Sequence, residues 1–162
     1  MIREDNFKPV LERLLETRRQ KVEDSQAGAR RGMRVLFAGP SGKNRLLAAQ
    51  LFARELSVDL FQIDLDRLVS KYVGDTEKNL DALFKAAEAS DAVLLFDDTD
   101  HLFGGRGAAS DDSGRFPNLD VAHFRRRIEA YDGVVVYATD DRAHVDPGIA
   151  RQCDEVVELS DD

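Results

Sequence analysis

Hydrophobic and polar positions along this 162-residue chain change period near residue 33. Before that point Phe7, Val10, Leu11, Leu14 and Leu15 recur at helical spacing, with Arg13, Glu16, Arg18 and Arg19 on the other faces. That pattern predicts an amphipathic helix ending near Val22. Ser25 to Gly32 is small, polar and glycine-bearing, and reads as a linker. From Met33 onward, short apolar runs alternate with helical stretches. Arg34 to Ala38, Val58 to Ile63, Ala92 to Phe96, Val134 to Ala138 and Val156 to Leu159 read as strands. Lys43 to Leu56, Thr76 to Ala89 and Asn118 to Tyr131 read as helices, and Asp146-Pro147 opens a shorter one. Thr76, with Asn79 three residues on, suits a helix cap. Residues 104–117, rich in Gly, Ser, Asp and Pro, read as a loop.

Five apolar strands separated by helices predict an α/β fold: a three-layer, parallel five-stranded sheet with helices on both faces, preceded by the amphipathic helix. The expected units are a helix over 1–24, a linker over 25–32 and a core over 33–162. Sheets of this kind bind ligands outside the carboxyl ends of their strands, so the chemistry is expected just after Ala38, Phe96 and Ala138.

Composition narrows the class. At 43% hydrophobic and 33% charged residues, the chain resembles an ordinary globular domain with enough length for its own core. No apolar run approaches the roughly 20 residues of a membrane span, and Met1-Ile2-Arg3-Glu4-Asp5 fits neither a signal nor a transit peptide. One cysteine, Cys153, excludes an internal disulfide. With three scattered histidines (His101, His123, His144) it also argues against a zinc cage. A reducing, cytoplasmic setting follows as the expectation. The net charge of −8 argues against broad nucleic-acid binding. It is uneven, with residues 1–31 at +2 and the remainder at −10.

Two segments carry candidate chemistry. Gly39-Pro40-Ser41-Gly42-Lys43-Asn44-Arg45-Leu46 sits between a predicted strand and a helix, where backbone amides and a helix N-terminus can cradle phosphate. A working loop reads G-x-x-x-x-G-K-[ST]. Counted from Gly39, the second glycine is Asn44, the lysine is Arg45 and the hydroxyl residue is Leu46. Asn tolerates left-handed backbone; Arg keeps the charge but is longer and planar; Leu offers Mg²⁺ no hydroxyl. Lys43 is a nearby spare cation. An ordinary strand-to-helix turn that binds nothing remains an equal reading. The second segment, Leu94-Leu95-Phe96-Asp97-Asp98-Thr99-Asp100, ends a buried run on two acids, a pattern suited to a metal-bound phosphate. A phospho-acceptor receiver domain would need its acid pair after the first strand, where Gly39-Pro40 stands.

Together the two segments resemble the core of an AAA+ ATPase, and further segments match in order. Phe37 to Gly42 is similar to the entry of the Walker A loop. Val69 to Leu80 is similar to the first pore loop and its following helix, with Lys71-Tyr72-Val73-Gly74 intact. Leu94 to Gly104 resembles Walker B, Val135 to Asp140 the sensor 1 strand, and Asp146 to Asp154 the region of the arginine fingers. The resemblance implies ATP or ADP with Mg²⁺ as cofactor, with residues 39–46 around the nucleotide and Asp97 at the metal. It places Asp98 at the general base, Asp140 at the sensor and Arg151 as a finger. It also implies protein clients or partner subunits in a ring, gripped through Tyr72, with no nucleic acid and no membrane.

The departures from the family pattern fall on the phosphate contacts. Asp98 is one methylene shorter than the family's glutamate, and a displacement of about 1 Å can cost orders of magnitude in rate. Asp140 replaces an amide with a charge. Gln152 stands where a second arginine is usual, and such fingers are worth about 10³–10⁵ in rate in related chemistry. No helical lid follows before Asp162. The expectation is therefore an AAA+-type domain with weak or no nucleotide binding and hydrolysis, acting through protein contacts. The alternatives are an active ring ATPase that remodels proteins, and an assembly module docking through the N-terminal helix. Phe124, Ile128 and Tyr131 are expected in the core, Arg125-Arg126-Arg127 on a solvated or subunit-facing surface, and Cys153 as a small buried hydrophobe.

Overall fold

The computed structural model describes residues 4–28, 31–63, 75–97, 121–145 and 147–159. Helix α1 (Glu4–Ser25) precedes β1 (Met33–Ala38), α2 (Gly42–Leu56), β2 (Leu60–Ile63), α3 (Asp75–Ser90) and β3 (Val93–Phe96). Then come α4 (Val121–Ala130), β4 (Val134–Thr139), a 3₁₀ turn (Arg142–His144), α5 (Pro147–Gln152) and β5 (Glu155–Glu158). The five strands form one sheet in the order β2-β3-β4-β1-β5, and every pairing is parallel. This is the expected α/β architecture.

Side chains alternate across the sheet, so each strand feeds two cores. Val35 and Phe37, Val93 and Leu95, and Val134, Val136 and Ala138 join Phe52, Ala48 and Ala49 of α2 on one face. Leu36, Leu94 and Phe96, and Val135 and Tyr137 join Leu80 and Phe84 of α3, Phe124 and Ile128 of α4, and Ile149 of α5 on the other. Burial on both faces explains why these strands read as continuous apolar runs rather than alternating ones. Tyr131, just past α4, donates its hydroxyl to the Ala92 carbonyl and, at 3.3 Å, to that of Ala87, which closes the end of α3.

Helix α1 lays its apolar stripe on the sheet layer: Phe7 and Leu14 lie fully inside the first core, Val10, Leu11 and Leu15 pack half-buried against it, and Phe7 meets Phe37 edge-on at 6.3 Å. Its polar face is tied to the amino-terminal end of the sheet. Arg13 Nε lies 2.6 Å from Glu155 Oε1, Thr17 donates to Glu155 Oε2 at 3.1 Å, and Lys21 pairs with Asp154 at 3.1 Å. Arg18, nearly buried, donates to the carbonyls of Arg31 and Asp132. The helix and the sheet therefore share one core. Arg127 also departs from expectation. It packs over the Phe84 ring at 5.1 Å and pairs with Asp81 and Glu88, whereas Arg125 and Arg126 are exposed.

Cys153 packs against the second core, and burial raises its thiol pKa to about 12. Because the thiolate is the reactive form, labelling by an aromatic disulfide at pH 8 should be slow in the native protein and fast in urea. Leu14→Ala is expected to cost about 2–5 kcal/mol in equilibrium urea unfolding. Removing residues 2–22 should abolish the cooperative transition; a core that still unfolds cooperatively without them would contradict the shared core.

Candidate nucleotide site at the carboxyl edge of the sheet

The crossover order places three strand ends side by side. Ala38 of β1 is opposite Thr139 of β4, and Phe96 of β3 is opposite Tyr137 of β4. Gly39, Asp97 and Asp140 therefore leave neighbouring strands at one edge of the sheet, the edge where open parallel sheets bind ligands. These three candidate residues thus follow adjacent strand ends. Lys71, Tyr72, Val73 and Gly74, and Asp98, Asp100 and His101, lie outside the described residues.

The end of β1 is held on both sides. Gly39 N donates to the Thr139 carbonyl at 3.0 Å, and Leu159 N donates to the Ala38 carbonyl at 2.6 Å. Leu159 then crosses so closely that a Cβ on Gly39 would strike its carbonyl oxygen. Glycine is required there for close approach, not for an unusual backbone angle.

Helix α2 starts immediately after. Ser41 has extended backbone (φ −99°, ψ 115°) and caps the helix, its side chain accepting from Asn44 N at 3.2 Å. Arg45 N donates to the Ser41 carbonyl at 3.1 Å, an ordinary first-turn helical bond. The amides of Asn44 and Arg45 are thus spent inside the helix start, and the Asn44 side chain is buried. Pro40, Gly42 and Lys43 are exposed, and Ser41 and Leu46 are half-buried, with Leu46 packed against the first core. Arg45 turns back along its own helix. Its guanidinium donates to the Gly39 carbonyl, and Nη2 lies 3.4 Å from Asp97 Oδ1.

On the neighbouring strand, Asp140 Oδ1 faces His144 Nδ1 at 3.1 Å. Thr139 Oγ1 donates to the Asp141 carbonyl at 3.0 Å, and Asp141 caps the 3₁₀ turn through Ala143 N. His144 was missed as a partner of Asp140, although their spacing of four with a turn between them is legible. Arg151 is exposed at the last turn of α5. No group of three or more His, Cys, Asp or Glu poised for a metal ion occurs among the described residues.

A cleft of about 620 Å³ lies at the opposite end of the sheet, lined by Lys21, Arg34, Arg126, Glu129, Asp132 and Asp154 among others. Part of its charge is already engaged within the fold. Lys21 pairs with Asp154, and the Arg34 guanidinium donates to the carbonyls of Ile128, Tyr131, Met33 and Gly133. Size alone does not make it the ligand site.

An α/β sheet of this order, with a strand-to-helix turn beside acids on the adjacent strand ends, defines a P-loop-type nucleotide-binding fold. The sequence pattern of the ATPase family associated with various cellular activities (AAA) matches residues 35–161, and the chain belongs to that family. It is 34% identical over 157 residues to the uncharacterized AAA family ATPase y4kL of Sinorhizobium fredii, covering 91% of this chain and 45% of that protein. It is 36% identical over 131 residues to the peroxisomal ATPase PEX6 of Arabidopsis thaliana, covering 77% of this chain and 14% of the relative. The AAA domain of FIGL-1 in complex with ADP has a similar fold, with a TM-score of 0.61 and 24% identity over 78% of this chain and 42% of that one. The chain thus spans less than half the length of the curated relatives quoted. No helix among the described residues is long and apolar enough to cross a membrane.

The packing at the loop sets an expected contrast. Gly39→Ala should destabilise by about 1–3 kcal/mol, because the new methyl meets backbone. Gly42→Ala should be neutral or stabilising by up to about 1 kcal/mol, since its Cβ meets only Arg45 Nη2, at 3.5 Å, inside a helix. Urea unfolding of the two variants measures the difference.

Proposed function

We propose that this AAA-family domain has a degenerate nucleotide site and works through protein contacts rather than through turnover of ATP. One observation carries the reading. The turn after β1 is closed as a capped helix start, with Ser41 holding the Asn44 amide and the Ser41 carbonyl holding that of Arg45. A phosphate loop needs such amides pointing at its ligand, and the arrangement present does not fit a magnesium nucleotide. The sequence supports it at the same place: Asn44, Arg45 and Leu46 replace glycine, lysine and a hydroxyl residue.

In this reading Asp97 keeps the position of the metal-binding acid and Asp98 that of the base. Asp140 adds negative charge where the family has an amide, and repels a γ-phosphate. Arg151 stands alone at the finger position, beside Gln152. Residues 71–74 retain the aromatic pore-loop string, so a role in a ring that contacts a polypeptide through Tyr72 belongs to the proposal, since a tyrosine gives a flat, sequence-tolerant surface. A cytoplasmic setting accompanies it.

The test is paired. Millimolar ATP or ADP with Mg²⁺ should move the wild-type melting temperature by no more than about 1 °C, with phosphate release at the buffer rate. The triple variant Asn44→Gly, Arg45→Lys, Leu46→Thr should gain a nucleotide-dependent rise. Wild-type Mg²⁺-dependent hydrolysis that grows with protein concentration and disappears in Asp98→Ala would instead establish the active ring ATPase.

A further inference from the structure

We infer that Arg45 is an internal counter-ion that closes the nucleotide site by holding Asp97 and the Gly39 carbonyl, so that the domain's folded state needs no divalent cation at this edge. The inference deepens the degenerate-site reading and rests on it.

The placement of the charge is the first argument. Arg45 lies in the first turn of α2, where the helix dipole disfavours a cation, and no acidic residue stands in that turn to offset it. Its side chain is only 12% exposed, and its Nε is buried without a hydrogen-bond partner. A guanidinium in such a place is costly unless acceptors elsewhere in the fold compensate for it. Two do: the Asp97 carboxylate just past β3, with Nη2 3.4 Å from Oδ1, and the Gly39 carbonyl just past β1.

Geometry is the second argument. Asp97 and Gly39 leave two strands separated by β4, and one side chain reaches both. A planar fork with several fixed donors can do this, whereas a lysine ammonium is a single point charge. The guanidinium also lies across the turn, since a Cβ on Gly42 would touch Nη2 at 3.5 Å. It therefore occupies the space between the turn and the acid, where a metal-bound phosphate would have to sit.

The third argument concerns charge balance. The chain beyond residue 31 carries a net −10, and Asp97 is followed by Asp98 in sequence. Acids at the carboxyl edge of a sheet repel one another unless a cation is near. Arg45 supplies that cation from within the chain.

The experiment uses the full chain. Arg45→Met keeps length and removes charge; its melting temperature should fall by about 4–8 °C. Millimolar Mg²⁺ alone should leave the wild type unchanged and restore part of the loss in Arg45→Met. The double variant Arg45→Met, Asp97→Asn should be at least as stable as Arg45→Met and should not respond to Mg²⁺. If Arg45→Met is too unstable to purify, Asp97→Asn alone serves: it should lower the wild-type melting temperature, because Arg45 then lacks its carboxylate. An Arg45→Met protein as stable as the wild type, losses that simply add in the double variant, or a wild type stabilised by Mg²⁺ as much as Arg45→Met, would each overturn the inference. These outcomes are independent of nucleotide, so their failure is separable from a wild type that binds or hydrolyses ATP, which would overturn the degenerate-site reading.

Discussion

The clamp on the end of β1 governs the rest of the site. β4 pairs with β1 along its length and β5 with its last four residues, and Gly39 and Leu159 extend that grip one residue beyond it, with no room for a side chain at Gly39. The chain must therefore turn sharply at Pro40-Ser41. Ser41 caps α2 from that turn, and a helix beginning at Gly42 presents Arg45 on the side facing back toward Gly39 and β3. A backbone constraint between strands thus sets where one cation falls, beside the acid that follows β3.

Much of this architecture was legible in the sequence. The strand runs at Val35-Leu36-Phe37, Val93 to Phe96 and Val134 to Ala138 are apolar throughout because both faces of the sheet are covered, and that pattern is local. The candidate turn and acids were read from their place after those runs. What failed to show was any partnership across long sequence separation. The α1 stripe indicates an apolar surface but not whose core it fills. Arg13 finds Glu155 across 142 residues and Arg18 finds Asp132 across 114. Arg127 looked solvated within its basic run, yet Phe84 and the acids of α3 draw it inward.

The site divides in the same way. That Asn44, Arg45 and Leu46 depart from a phosphate loop is a fact of the sequence. That Ser41 turns the loop into a capped helix start is a three-dimensional fact, because Ser is equally at home in both settings. The closeness of Arg45 to Asp97 also needed the fold, which brings β3 within reach of the turn after β1 through the crossover order. The AAA family supplies the frame in which these residues acquire meaning, and the proposed loss of its usual chemistry rests on where they depart from its pattern.

Isothermal titration calorimetry of the wild-type chain with ATP, in the presence and absence of Mg²⁺, tests the central claim most directly. A turn closed by Ser41 and Arg45 predicts no saturable heat under either condition. Saturable, Mg²⁺-dependent binding of about one ATP per chain at micromolar affinity, corresponding to about −8 kcal/mol, would contradict it.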